Sequence, residues 1–439
     1  MKHFSSLILF CLLGSLPAQA RSVVDFSSLW QQVKINSPSL AASDHRLKAS
    51  DLEKNRVALL WLPALSLEGR VFSTNESALN FSSILGERSF NAADFNISSL
   101  NRPGFNSFQT LSLGLDFPLY DGGMRSSSVS RASSTSEAAS YAQSYQLLAA
   151  YVETGSSYAR VASMIQAEQR LKSMSEKVKR LLSHYSIGNK SNLIGYSGLL
   201  GIKGLINRIE SVRNELQAES EAEISSLSLQ ARIPSDWNPA LESTENFLER
   251  IMPLSNSSDA KESLTVRAAH AQAEAAKSDE QARRSQALPH LGLFANESIT
   301  HGSRDTASGF TGGIYLKWAL FNPAQSGVVL AANEHQRAEA SEVEQAQLNA
   351  QSQQEKNSKK ELALRQNLKL LEESESYLEA QTGAITKLFQ NGSVTALQLA
   401  EVLNRAVDLV LQLKDLHSGL IQHRAQQKLL EAESRAFNE

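Results

Sequence analysis

Apolar residues recur along the chain in two rhythms. In four short stretches, about 64–74, 105–120, 289–300 and 309–321, they alternate with polar residues. In the last, Phe310, Gly312, Ile314, Leu316, Trp318 and Leu320 share one side, with Thr311, Tyr315 and Lys317 on the other. In the second, Leu111, Leu113, Leu115 and Phe117 oppose Thr110, Ser112 and Asp116. A period of two predicts strands with one apolar and one polar face. Elsewhere the spacing is three and four: Leu171, Met174, Val178, Leu181, Tyr185; then Ile202, Leu205, Ile209, Val212, Leu216; then Leu399, Val402, Ala406, Leu409, Leu413, Leu416, Leu420. These heptads predict helices that pack on helices along narrow seams, which are too narrow to cover a sheet.

Proline placement shows where the helices can be long. The intervals 119–233 and 324–439 contain none of the ten prolines, and an interior proline costs a helix about 3 kcal/mol. Each interval breaks once, at Tyr185-Ser-Ile-Gly-Asn-Lys-Ser191 and at Phe389-Gln-Asn-Gly-Ser-Val-Thr395. In both turns the glycine can supply a left-handed C-cap and the hydroxyl residue an N-cap for the next helix. A helix of over sixty residues would run roughly 90–100 Å. Further helical stretches, 28–62 and 260–288, end at Leu62-Pro63-Ala-Leu-Ser-Leu67 and Leu288-Pro289-His-Leu-Gly-Leu293.

The pattern occurs twice. Leu113-Gly-Leu-Asp-Phe-Pro-Leu-Tyr-Asp-Gly-Gly123, where a strand meets a long helix, returns 201 residues later as Ile314-Tyr-Leu-Lys-Trp-Ala-Leu-Phe-Asn-Pro-Ala324. The turns between helices are 204 residues apart. The chain is therefore expected to hold a first repeat over 21–230, a linker or small collar over 231–260, and a second repeat over 261–439. The first repeat carries the longer loop between its strands, about 76–104, which is polar, aromatic-studded and rich in turn residues.

Residues 1–20 have the form of a secretory leader, with an apolar run and Ala18-Gln-Ala20. The only cysteine, Cys11, lies within it, so no disulfide or thiol chemistry is expected afterwards. A formal net charge of −3 argues against nucleic acid as a partner. No later stretch is apolar enough for a membrane-spanning helix, so any membrane role falls to the strands, each near the roughly 9–11 residues of a tilted transmembrane strand. Four strands cannot close a barrel, and open edges are not tolerated in lipid. Several chains would have to share one barrel.

Catalytic patterns do not emerge. The nine histidines are scattered; His417 and His423, six apart on a heptad helix, read as solvated or seam residues. Neither His-Glu-x-x-His nor Gly-x-Ser-x-Gly occurs. Gly188-Asn-Lys-Ser191 lacks the glycine that a phosphate loop needs before Lys-Ser. No cofactor, metal or catalytic residue is expected. Gly195, Gly198, Gly201 and Gly204 leave two readings open, a loosened helix start or a close helix crossing.

The order and spacing of the Leu-Pro-x-Leu strand starts, the Pro-Leu-Tyr-Asp-Gly-Gly junction at 118–123 and the two aromatic-x-x-Gly-x-x-Ser/Thr turns resemble the TolC family of outer-membrane efflux channels. The resemblance implies a mainly α fold with a small β part. As a homotrimer it would form a shared twelve-stranded transmembrane β-barrel and a periplasmic α-helical barrel closed at its far end. The implied partners are outer-membrane lipid, a periplasmic adaptor (membrane fusion) protein and an inner-membrane transporter. Carried over by position, Ile187, Gly188, Asn189, Asn391, Gly392 and Ser393 would be adaptor-docking tips. The constriction positions are Gln398, where the best-known members have an acid, and Glu401. At the gate lock Phe389 replaces a tyrosine, with Tyr185 at the matching place in the first turn, and Ile194 stands where an acid could accept its hydrogen bond. The function so implied is a passive outer-membrane exit duct for small molecules. The exit duct of a type I protein-secretion system, or a secreted periplasmic coiled-coil scaffold with a soluble sheet, are the alternatives.

Overall fold

A computed structural model describes residues 21–183, 193–253 and 263–430. The leader expected at 1–20 and the first turn, with Tyr185, Ile187, Gly188 and Asn189, lie outside the described residues, as does the side chain of Ile194. In chain order the elements are β1 (Ser22–Val24), α1 (Phe26–Asn36), α2 (Pro38–Ala58), β2 (Ala64–Thr74), α3 (Ser77–Gly86), α4 (Ile97–Asn101), β3 (Asn106–Tyr120), α5 (Met124–Ser183), α6 (Leu193–Ala231), β4 (Trp237–Pro239), α7 (Thr244–Ile251), α8 (Leu264–Ser285), β5 (His290–His301), β6 (Thr306–Lys317), α9 (Pro323–Gln390) and α10 (Ala396–Leu429). They form two compact units, one of residues 42–145 and 259–351 and the other of the rest, with α5 and α9 contributing to both.

The first unit holds an antiparallel sheet in the order β2-β3-β5-β6. Its register pairs Leu67 with Leu113, Leu111 with Ile299, and Leu293 with Ile314, so alternation puts most of the apolar residues of all four strands on one face. Leu65, Leu67, Val71, Phe310, Ile314 and Leu316 are exposed there. The other face is mainly polar, with Phe72, Phe108 and Phe294 as exceptions. On it Tyr315 reaches across β5 to donate its hydroxyl to Asp116 at 3.0 Å. Only glycine permits that crossing, because a methyl at Gly292 would lie 2.5 Å from the tyrosine ring. β2 and β6 are the edges of this sheet.

Three expectations are corrected in this part of the chain. β6 runs from Thr306 to Lys317 instead of 309–321. Its partner starts at His290, after a proline that has no N–H to give, so the ladder ends at the His290–Lys317 pair. Trp318 leaves the strand and its indole donates to the Ala287 carbonyl at 3.2 Å. The stretch 28–62 is not one helix: Pro38 starts a new one, a place where its missing N–H costs nothing. The turn-rich loop of 76–104 is largely helical, with α3, a 3₁₀ turn at Ala92–Phe95 closed by an Asn91/Asp94 capping box, and α4.

At the junction of β3 and α5 an ion pair is buried. Arg125 donates from Nε to Asp121 at 2.8 Å and from Nη1 to the carbonyls of Pro118 at 2.9 Å and Leu60 at 3.4 Å, and its guanidinium lies 4.1 Å from the centre of the Trp61 ring. Asp121 also accepts from the Gly123 and Arg125 backbone N–H groups. Gly122 has φ +67°, and a methyl there would sit 2.7 Å from Leu288 Cβ. The Asp-Gly-Gly sequence is thus demanded by a left-handed turn pressed against the end of α8.

In the second unit β1 and β4 pair in parallel. Around them Phe26, Trp30, Tyr151, Tyr158, Trp237 and Phe247 form an aromatic cluster with ring centres 5.1–6.2 Å apart. Tyr158 donates to the Val24 carbonyl and accepts from the Ala240 N–H, joining β1, α5 and the end of β4; burial raises its pKa to about 12. A larger core joins α5, α6, α9 and α10 through Leu171, Val178, Ile202, Leu205, Ile209, Phe389, Leu399, Leu403, Val407 and Val410. The stripe on α10 is broader than the heptad read from sequence, since Leu403, Val407 and Val410 are buried beside Leu399, Val402, Leu409 and Leu413.

Candidate channel gate and helix tip

The turn between α9 and α10 is built from its own residues. Gly392, at φ +73°, donates its N–H to the Phe389 carbonyl at 3.0 Å, and the Ser393 N–H reaches Leu388 at 2.9 Å. These are the two bonds of a Schellman cap, and glycine meets its left-handed position without a Cβ penalty. Thr395 then caps α10. Its hydroxyl oxygen accepts from the Gln398 N–H at 3.3 Å while the Gln398 side-chain oxygen accepts from the Thr395 N–H at 2.9 Å. Asn391, Gly392 and Ser393 are exposed at this tip.

The candidate constriction residues lie close by in sequence but differ in environment. The Gln398 amide is engaged in the cap. Glu401, one turn further on, is exposed and accepts from Arg405 at 2.6 Å. Its charge therefore has a cation beside it on the same helix. Phe389 is 7% exposed and belongs to the helix core, so it is not presented on the surface as a hydroxyl-bearing lock would be.

The polar contacts that tie α6 to α10 were not among the sequence candidates. Arg208 donates to Asn404 at 2.9 Å and to Asp408 at 2.5 Å. A methyl at Gly198 would stand 2.7 Å from Ala396 Cβ and 3.1 Å from the Leu397 nitrogen. Of the two readings of the glycine series, Gly198 fits the close crossing, whereas nothing lies within 4 Å of Gly204. The Glu401–Arg405 pair was available as an i,i+4 pattern; Arg208 and Asp408, 200 residues apart, carried no local signal.

Between the last turns of α5 and α9, above α10, lies a cavity of about 1610 Å³. Lys177, Arg180 and Lys387 line it beside Glu379 and the apolar Met174 and Leu409. Nearby, Lys179 and Ser175 hydrogen bonds hold the Glu210 carboxyl below its usual range. His417, with Arg170 close by, is pushed below the usual histidine range chiefly by burial, and so is His423, both of whose ring nitrogens are buried without a partner. Both therefore belong to the helix packing. Among the described residues no three His, Cys, Asp or Glu side chains converge to hold a metal ion, and no helix is long and apolar enough to cross a membrane.

Comparison with curated proteins finds no match. Solved structures do match over nearly the whole chain. CusC, whose structures concern transmembrane channel formation, gives a TM-score of 0.76 at 14% identity over 96% of each chain. The outer membrane protein VceC from Vibrio cholerae gives 0.71 at 16% identity, covering 93% of this chain and 97% of that one. The open-state outer membrane channel MtrE from Neisseria gonorrhoeae gives 0.70 at 14% identity, covering 94% and 91%. At these identities the likeness concerns the fold. Residues 29–231 match the family model of outer membrane efflux proteins, so this part of the chain carries the pattern of that family, and nearly the whole chain carries the fold of the solved channels.

Proposed function

We propose that the chain is the outer-membrane exit duct of a tripartite efflux system, a passive channel that carries small molecules delivered by an inner-membrane transporter and a periplasmic adaptor. The observation that carries this reading is the sheet: four strands with an exposed apolar face and two open edges, β2 and β6. Such a sheet is complete only when copies pair edge to edge and turn their apolar faces to lipid. Three copies would give twelve strands. A soluble scaffold accounts less well for this sheet, because its apolar face is left open to solvent.

In this reading Asn391, Gly392 and Ser393, together with Ile187, Gly188 and Asn189, are the adaptor-docking tips. Glu401 and Gln398 lie at the closing end with Phe389, Ile194 and Tyr185. With Gln398 turned into its cap and Glu401 beside Arg405, that end carries little net negative charge, so cation selectivity there should be weak. Crosslinking of membranes followed by fractionation tests the duct. Trimers in the outer membrane are expected, and recovery as a soluble periplasmic monomer would refute it.

A further inference from the structure

The long insertion between β2 and β3 folds onto the polar face of the sheet. That face carries Phe72 and Thr74 on β2, Asn106, Phe108 and Ser112 on β3, and Ser298 and Thr300 on β5. α3 covers its end where β3 begins. Asn106 donates to the Asn80 side chain at 2.8 Å, and a methyl at Gly86 would meet the Thr300 side chain at 3.3 Å. Beneath α3, Phe108 is 1% exposed and stacks obliquely on Phe72 with ring centres 5.6 Å apart.

Two polar clamps fasten the insertion to the turn between β5 and β6. Arg304 grips both oxygens of Asp94 at 2.7 and 2.8 Å, a bidentate geometry that fixes direction as well as distance. The buried Glu87 accepts from the Asp305 N–H at 3.3 Å and from the Ser89 hydroxyl at 3.0 Å. The second repeat has only the short turn 302–305 at the matching place, so this cover belongs to the first repeat alone.

We propose that the insertion is a size filter at the outer end of the duct. The inference rests on the duct reading, in which the apolar face meets lipid and the polar face lines the passage. Whatever packs on the polar face then occupies the passage. A helix is about 10–12 Å wide with its side chains, and each copy contributes one. The clamps to the β5–β6 turn hold each α3 against its own sheet, so the opening left between three helices is set by the fold and not by a mobile loop.

The test uses cysteine labelling of the full-length protein in intact cells. Ser112→Cys, on the polar face below α3, is probed from outside with a small maleimide and with a polymer-linked one; Cys11, the only native cysteine, precedes the described residues. The small reagent should label Ser112→Cys whether the insertion is present or 77–101 is replaced by a short Gly-Ser linker. The polymer reagent should label only the replacement, going from none to the level of the small reagent. Should the replacement fail to reach the membrane, Arg304→Asp is the second variant: it should admit the polymer, and Asp94→Arg added to it should exclude the polymer again. Polymer labelling with the insertion intact overturns the filter while leaving the duct standing. Failure of both reagents in every variant overturns the duct reading and the filter with it.

Discussion

The close approach of α6 to α10 can be measured with two glycines of one helix. At Gly198 an added methyl would lie 2.7 Å from Ala396 Cβ, whereas carbon atoms rest about 3.5–4.0 Å apart. The helices would have to separate by roughly 1 Å there, and such overpacking costs about 1–3 kcal/mol. Against it stands the gain from replacing a helical glycine by alanine, about 1 kcal/mol. Gly204→Ala keeps that gain without the clash, since nothing lies within 4 Å of it. The two variants should therefore differ by about 1–3 kcal/mol, or roughly 5- to 150-fold in the rate at which the start of α10 opens. Amide hydrogen exchange over residues 396–403 of the detergent-solubilised protein reads this directly. Gly198→Ala should exchange faster and Gly204→Ala no faster than the parent. Equal protection in the two variants would mean that the helices do not touch at Gly198.

Further outcomes follow from the junction, the tip and the clamp. Arg125→Met leaves the buried Asp121 carboxylate without its cation, a loss of about 3–5 kcal/mol, and should lower the thermal unfolding midpoint of the purified protein; Asp121→Asn should lower it less. Gly392→Val places a β-branched residue at φ +73°, costing about 1–2 kcal/mol, and should speed proteolysis at 390–396, while Gly392→Asn should be tolerated. Asp94 is held at about 2 by Arg304, and the Asn91 N–H adds to it, against an ordinary 3.8. Its contribution is thus fully present above about pH 4 and is lost as pH falls towards 2. Protection of the 91–95 amides, taken relative to their intrinsic exchange rates at each pH, should fall over that interval in the parent and stay unchanged in Asp94→Asn.

The repeat, the strands and the tip could be read from sequence because each depends on a local rule. Alternation marks Leu111 to Phe117, absent prolines mark α5 and α9, and the Gly-x-x-Thr spacing marks the cap at Gly392 and Thr395. What escaped was settled by partners distant in the chain or by a rule left unapplied. Pro38 could have been read as a helix start. The end of β6 depends on Pro289, just before the neighbouring strand, which has no N–H to extend the ladder, and on Ala287, whose carbonyl takes the Trp318 indole. Helices in the 76–104 insertion gain stability from lying on Phe108 and Thr300, so its polar, turn-rich composition did not announce them. Phe389 was named as a gate candidate by motif position alone, and its burial could not be read there, because that depends on how four helices converge. Arg208 and Asp408 meet only after both hairpins have formed.

The two open edges of the sheet also bear on the life of the newly exported chain. On the duct reading, before such a chain pairs with its copies it presents unpaired strand edges and an apolar face together, the combination that drives disordered edge-to-edge association. β2 carries Glu68 and Arg70 as charged gatekeepers, but β6 offers only Lys317 at its last position. Escorting chaperones would therefore matter most at β6, and overproduction should yield aggregate in place of soluble monomer once the escort is saturated.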